Sequence, residues 1–201
     1  MTIRTAHGRL ATAALGALAA TTLAISATPA SAAASDGYVR GAGSIYDDFG
    51  DEGTLSTSSY ATSNLACFWQ NVLYAEGAIE SNGTVVDRSD IDGVFGANSK
   101  AATKSLQKRW GLADDGLVGE KTFGELDEKR VHLPDVDGGV YSGKLQYIGT
   151  SSEGQITARY HGKLKSFAMY RAGDDGRWSF VSLRNDNGSI YPMRYNSRTC
   201  Q

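Results

Sequence analysis

The sequence predicts an α+β protein in which a helical domain (residues 63–132) precedes a small antiparallel β-sheet or barrel (residues 138–201). Three observations favour this class: a helix-period apolar stripe after position 63, two Asp-Gly-x-x-Gly segments 23 residues apart, and short apolar runs separated by turns in the last 64 residues. Charge divides the chain at the same place. Residues 33–137 hold nine Lys/Arg and 18 Asp/Glu, a net −9, whereas residues 138–201 hold nine and four, a net +5.

Residues 1–32 have the pattern of a secretory signal peptide. Arg4 and Arg9 provide a basic start, residues 10–25 form an Ala/Leu-rich apolar run, and Ala30-Ser31-Ala32 has the small-x-small pattern of a cleavage site. A membrane anchor is the less favoured alternative, because a bilayer span needs about 20 strongly apolar residues. We therefore expect an exported protein, secreted or associated with the cell wall, without membrane contact once the signal is removed.

Residues 33–62 are predicted to be a disordered, acidic lead-in. They combine Asp47, Asp48, Asp51 and Glu52 with a Ser/Thr run and show almost no apolar periodicity. Such a segment buries too little apolar surface to offset the entropy of ordering it. A plain linker is favoured over a binding tail.

Three helices are predicted between residues 63 and 130. The first has an i, i+3, i+4, i+7, i+8 stripe, with Ser63 or Asn64 as N-cap and Gly77 as its stop. The second runs from about Asn98 to Trp110, and the third covers about residues 120–130. The stripe of the first helix consists of Leu65, Phe68, Trp69, Val72 and Leu73.

Each of the last two helices follows an Asp-Gly-x-x-Gly segment. In such a segment the Asp side chain can accept backbone N–H bonds, and the first Gly allows a positive φ. Two copies, each opening a helix, predict a repeated turn rather than a coincidence of composition. The residues assigned to these loops are Asp92, Gly93, Phe95 and Gly96 in the first, and Asp115, Gly116 and Gly119 in the second.

Together with the helices, these loops make residues 65–126 resemble the bacterial peptidoglycan-binding domain of the three-helix type. The resemblance rests on Trp69-Gln70 with Leu73, the two Asp-Gly segments, Ala101-Ala102, Leu106-Gln107, Gly111-Leu112 and Thr122-Phe123 with Leu126. It implies a three-helix fold and binding of peptidoglycan. The segment 78–91 is longer than the usual link into the first Asp-Gly loop.

Polar residues beside the loops are the favoured contacts for a glycan or peptide. They are Gln70, Asn98, Lys100 and Arg109. The large aromatic residues of this domain are assigned to its core instead.

The last 64 residues predict an antiparallel β domain that is basic and rich in aromatic residues. Its strands are separated by turns about ten residues apart, and Asp175-Gly176 and Asn187-Gly188 are signals for tight hairpins. Aromatic rings can stack on sugars and Arg can pair with anionic groups, so Arg177 and Trp178 are candidate ligand contacts. The alternative, that these aromatic residues form the core, stays open.

The two cysteines, Cys67 and Cys200, favour one disulfide, because an even cysteine count in an exported chain indicates pairing. The alternative is a catalytic thiol, which is disfavoured because neither cysteine has the sequence surroundings of a transpeptidase.

No catalytic residues, metal ligands or cofactor are predicted. His132 and His161 lie in different domains without acids at ligand spacing, and no Gly-x-Ser-x-Gly segment is present. The acids of the β domain fall in predicted turns, where Asp and Glu usually form the turn itself. The near-neutral whole-chain charge of −2 argues against nucleic acid as a partner.

We therefore expect a secreted, non-catalytic protein whose partner is peptidoglycan or another cell-wall glycan. One alternative is a cell-wall hydrolase with catalytic residues in the β domain, because such binding domains often accompany hydrolases. Another is a secreted module that binds or inhibits a protein.

Overall fold

The computed structural model describes residues 36–133 and 140–200, and these form an α+β fold of helices and antiparallel sheets. The predicted signal peptide, residues 33–35 and residues 134–139 lie outside the described part. The helices are α1 (Asn64–Glu76), α2 (Ala97–Trp110) and α3 (Glu120–Gly124). The strands are β1 (Val131–Leu133), β2 (Val140–Ser142), β3 (Leu145–Thr150), β4 (Ile156–His161), β5 (Ser166–Arg171), β6 (Trp178–Val181) and β7 (Ile190–Pro192). No helix in these residues is both long and apolar enough to cross a membrane.

Helix α1 begins and ends where its capping signals predict, and α2 ends at its predicted terminal glycine. The Ser63 hydroxyl accepts the backbone N–H of Ala66, and α1 ends at Gly77 in the left-handed region. Gly111 ends α2 in the same way, with a φ of 74°.

The third helix is shorter than the predicted 120–130. After Gly124 the chain tightens into a 3₁₀ turn, Glu125–Asp127, and the backbone at Glu128 is extended. The reason is pairing with the sheet: the carbonyl of Glu128 accepts the N–H of Leu145, and the N–H of Arg130 donates to the carbonyl of Leu145. A backbone used in this way cannot continue a helix.

The larger sheet is an open antiparallel meander in the order β3-β4-β5-β6-β7. Strands β1 and β2 form a separate two-stranded sheet. The predicted hairpin signals lie where expected: Gly176 in the β5–β6 turn and Gly188 in the β6–β7 turn both have positive φ. Strands β3–β7 do not close into a barrel, which was the alternative to a sheet.

Residues 36–62, predicted as a disordered lead-in, are packed against the rest of the protein. Val39, Phe49 and Leu55 are fully buried. The segment also adds backbone pairing: Val39 bonds to both Met193 and Trp178, and Leu55 pairs with Val118. Its apolar residues are few and irregularly spaced because each one packs against a different element, so periodicity cannot reveal them.

Helix α1 is buried on all sides, and only Tyr74 of its 13 residues is partly exposed. Towards the sheet, Phe68 lies 5.5 Å from Phe180, centroid to centroid. Towards the other helices, Trp69 lies 5.7 Å from Phe123. One helix therefore fills the core beneath both the sheet and the helices.

The disulfide between Cys67 and Cys200 is present and fully buried. It fixes the C-terminal segment to α1 across a separation of 133 residues. On the chain-entropy model, closing a loop of this length stabilises the fold by about 5 kcal/mol.

Several carboxyl groups are buried where the lead-in meets the helices and the sheet. Asp48 pairs with Arg171 at 2.6 Å and accepts the indole N–H of Trp178 at 3.0 Å. Glu52 is 5% exposed, and no described group donates a hydrogen bond to its carboxyl oxygens. Burial, together with the negative charges of Asp51, Asp48 and Asp127, raises the pKa of Glu52 to about 9.

This burial predicts that stability falls with rising pH. The folded pKa of Glu52, about 9, exceeds its ordinary value of 4.5, so the folded state holds a proton that the unfolded chain releases above pH 4.5. We expect Glu52→Gln to match the wild type near pH 4 and to be the more stable protein at pH 8. The slope removed is at most about 1.4 kcal/mol per pH unit. Urea denaturation across this pH range measures it.

The matched control is Glu153→Gln, which removes an exposed carboxylate. Its stability should run parallel to that of the wild type. Equal pH slopes for Glu52→Gln and the wild type would contradict the prediction.

Candidate functional site

The first Asp-Gly loop is held by the side chain of Gln70 in α1. Its amide nitrogen donates to Asp92 Oδ1 at 2.9 Å, to the Val94 carbonyl at 3.1 Å and to Ser99 Oγ at 3.1 Å. Its amide oxygen accepts the N–H of Gly93 at 2.8 Å. Asp92 closes the turn by accepting the N–H of Val94 at 2.8 Å. The loop and the start of α2 are thus fixed to α1 through one amide group.

The second loop repeats this arrangement with Gln107 of α2. The amide nitrogen donates to Asp115 Oδ1 at 3.0 Å, to the Leu117 carbonyl at 2.8 Å and to Thr122 Oγ1 at 3.0 Å. The amide oxygen accepts the N–H of Gly116 at 2.9 Å. We call Gln70 and Gln107 the clamp glutamines, because each fixes one loop and the helix that follows it.

The backbone of both loops requires glycine at the second position. Gly93 and Gly116 each have a φ of 74°. A Cβ atom at Gly93 would lie 2.9 Å from the Sγ of Cys67, and one at Gly116 would lie 2.7 Å from the Cγ of Lys100. Both loops therefore pack directly onto their neighbours.

Each loop borders a cavity. The first, of about 280 Å³, opens between the first loop, the start of α2 and the segment 80–90. Its polar lining includes Gln70, Glu80, Ser89, Asp90, Asp92 and Asn98. The second, of about 270 Å³, lies beside the second loop, with Thr54 and Lys121 in its wall. We call the first one the loop-1 cavity.

The predicted ligand contacts of the helical domain have different positions in the structure. Asn98 is exposed and lines the loop-1 cavity. Gln70 also lines it, but is only 2% exposed, and its amide is occupied by the loop. Lys100 lies across Gly116 of the second loop instead. Arg109 pairs with the carboxylate of Glu76 at 2.7 Å.

The two predicted contacts of the β domain also differ from one another. Trp178 is fully buried and donates to Asp48, so its ring belongs to the core and cannot meet a ligand at the surface. Arg177 keeps 42% of its side chain exposed, pairs with Asp175 at 2.8 Å, and lies over the ring of Tyr38. The burial of Trp178 agrees with the alternative left open from the sequence, that the aromatic residues of this domain form its core.

Sequence reasoning missed the role of the clamp glutamines. Their distances to the following Asp differ, 22 residues from Gln70 to Asp92 but eight from Gln107 to Asp115, because segment 78–91 lengthens the first link. A usable signal was present: each Gln directly follows a large apolar residue in the helix preceding its loop, as in Trp69-Gln70 and Leu106-Gln107.

This arrangement is suited to binding by hydrogen bonds. The loop-1 cavity offers amide, hydroxyl and carboxylate groups on a rigid frame. Within residues 36–133 and 140–200, no three His, Cys, Asp or Glu side chains converge on a possible metal site. In the β domain, Asp186 is paired with Arg88 at 2.7 Å, and Asp175 is paired with Arg177.

Comparison with known proteins found no matching family model, no similar curated protein and no similar solved structure.

The clamp geometry predicts a large loss of stability from either Gln70→Ala or Gln107→Ala. Each change leaves a buried backbone N–H and several acceptors without a partner, which should cost about 2–4 kcal/mol in the free energy of unfolding. Urea denaturation measures the loss, with Asn98→Ala as an exposed control expected to stay within about 0.5 kcal/mol of the wild type. A loss below about 0.5 kcal/mol for both clamp variants would show that the loops do not depend on these glutamines.

Proposed function

We propose that this protein is secreted and binds peptidoglycan through the loop-1 cavity without acting as an enzyme. The observation that carries the proposal is this cavity itself, polar and open, formed by an Asp-Gly loop whose conformation is fixed by Gln70. The resemblance of residues 65–126 to the three-helix peptidoglycan-binding domain names the ligand class.

The chemistry of the cavity suits a glycan or a short peptide. Asn98 offers both a donor and an acceptor, and Ser89, Asp90 and Asp92 offer a hydroxyl and carboxylate acceptors. Sugar hydroxyls and peptide amides need this mixture of donors and acceptors. A volume of about 280 Å³ matches one unit of a polymer better than a large cofactor.

The long segment 78–91 contributes one wall of the cavity. Glu80 accepts the hydroxyl of Thr84 at 3.1 Å, and Asp90 accepts the N–H of Asp87 at 2.7 Å. These bonds within the segment hold Glu80, Ser89 and Asp90 opposite the start of α2. The segment therefore serves ligand selection in the proposal, rather than being a simple linker.

Export is supported by two independent features. Residues 1–32 have the pattern of a secretory signal, and the chain carries a buried disulfide between its two cysteines. Disulfides persist in oxidising surroundings outside the cytosol. The cell wall is such a place, so the location and the ligand agree.

The test is co-sedimentation of the protein lacking residues 1–32 with purified, insoluble peptidoglycan. We expect the protein in the pellet, and we expect Asn98→Ala to weaken binding about three- to tenfold, the value of one or two lost hydrogen bonds. The matched control is Asn196→Ala, which removes another exposed asparagine far along the chain and should bind like the wild type.

Two results would count against this function. Protein that stays in the supernatant at low salt would contradict peptidoglycan binding as such. Equal binding by Asn98→Ala and the wild type would place the contact outside the loop-1 cavity.

A further inference from the structure

In the part of the chain that the structure describes, one face of the five-stranded sheet is open, and its side chains form a distinct surface. Along β4 and β5 the buried side chains of Ala158, Tyr160, Phe167 and Met169 alternate with exposed or half-buried ones. The alternating outward positions therefore share one face. Its members on the central strands are Thr157, Arg159, His161, Ser166, Ala168, Tyr170 and Ser179.

This open face has positive charge and no acid on its strands. None of the five strands β3–β7 contains Asp or Glu, and the exposed Arg159 lies near its centre. Among the described residues, Arg159 has no carboxylate within 4 Å of its guanidinium. Burial, with the positive charges of Arg130 and Arg159, lowers the pKa of His161 to about 4.

Three more guanidinium groups meet at one end of the same face, around Tyr38. The backbone of Tyr38 pairs with that of Arg194, and Arg40 pairs with Arg177. The guanidinium carbons lie 4.2 Å (Arg177), 4.8 Å (Arg194) and 5.8 Å (Arg40) from the centre of the Tyr38 ring. We call these four residues the arginine–tyrosine cluster.

The cluster keeps unneutralised charge. Asp175 pairs with Arg177 at 2.8 Å and with Arg40 at 3.7 Å, and Asp36 lies 3.9 Å from Arg40, so two carboxylates face three guanidinium groups. The guanidinium of Arg194 has no carboxylate within 4 Å among the described residues, and its Nε is buried without an acceptor. A ligand anion can pair with a guanidinium group in the planar, two-pronged geometry that arginine favours.

A cleft of about 370 Å³ joins the cluster to the rest of the open face. Tyr38, Tyr170, Gln155 and Ser179 line it, together with Arg177 and, at its rim, the turn carboxylates Asp174 and Asp175. Aromatic rings with hydroxyl and amide groups beside them suit the flat faces and hydroxyls of a sugar ring. The register places the backbones of Arg159 and Arg177 roughly 16 Å apart, two strands across and about four residues along.

We propose that the open sheet face, from Arg159 through the Tyr170 cleft to the arginine–tyrosine cluster, binds an acidic polysaccharide. The guanidinium groups pair with its carboxylates, and the cleft holds a neutral ring between them. Charge complementarity and spacing favour this occupant, because cations set apart by an aromatic, hydroxyl-lined cleft match a polymer whose charges are separated by rings. This site is distinct from the loop-1 cavity and does not depend on the function proposed for it.

The test is affinity electrophoresis of the protein lacking residues 1–32 in gels containing polygalacturonate, polyphosphate or dextran. We expect retardation by polygalacturonate that weakens with salt, and less retardation by the neutral dextran and by polyphosphate, which has charge but no rings.

The double variant Arg159→Ala with Arg194→Ala should weaken polygalacturonate binding at least about tenfold. The matched control, Lys104→Ala with Lys121→Ala, removes the same charge from exposed positions in the helical region and should change it less than about twofold.

The single variant Arg159→Ala is expected to fold normally, because this side chain is exposed and has no described ion-pair partner. Weaker binding by this variant therefore cannot be attributed to misfolding. It should weaken binding while leaving the urea midpoint unchanged. Asn98→Ala should leave polygalacturonate binding intact, which separates a failure here from a failure of peptidoglycan binding. The proposal is overturned by any of three results: no retardation by polygalacturonate at low salt, equal losses in the arginine and lysine variants, or tighter binding of polyphosphate than of polygalacturonate.

Discussion

The burial of α1 at all but one of its residues is the constraint on which the rest of the structure depends. A helix that is apolar on one stripe needs one partner, but α1 presents Phe68 to the sheet and Trp69 to the other helices. Among residues 36–133 and 140–200, the sheet has its hydrophobic partner on the α1 side, and its other face carries the positive surface described above. The helical loops on the far side of α1 form the loop-1 cavity.

A helix buried on every side must also satisfy the polar groups it carries. Asn64 donates to the carbonyl of Pro192, and Asn71 donates to the carbonyl of Val181 and accepts the N–H of Leu183.

The polar side chains of α1 also join other elements to one another. Glu76 accepts from both Arg109 and Tyr160, which joins α2 to β4. Gln70 fixes the first Asp-Gly loop. Because each of these bonds has one geometry, they set the position of α1 against the sheet and the loops, which apolar packing alone leaves less defined.

The sequence was informative wherever a structural signal was local. The bounds of α1 and the end of α2 followed from an apolar stripe, a serine cap and terminal glycines, and the disulfide followed from the count of cysteines. The two Asp-Gly loops indicated the start of their helices. The hairpin turns at Gly176 and Gly188 were likewise recognisable from single dipeptides.

Features that depend on distant partners were not accessible in this way. The lead-in looked disordered because Val39, Phe49 and Leu55 each pack against a different element. The third helix was placed too long because the pairing of its last residues with Leu145 is invisible locally. At the candidate site, Asn98 was predictable as an exposed polar residue beside a loop, whereas the clamp function of Gln70 required knowing which loop its amide meets.

If α1 is the shared core of the helices and the sheet, the two parts cannot unfold independently. Native-state hydrogen exchange at increasing urea, followed for amides in α1, α2, β4 and β5, tests this most directly. A shared core predicts that the slowest amides in all four elements exchange with the same opening free energy and the same urea dependence. Loss of protection in β4 and β5 at a clearly lower free energy, while α1 and α2 remain protected, would contradict it and would show two separate units.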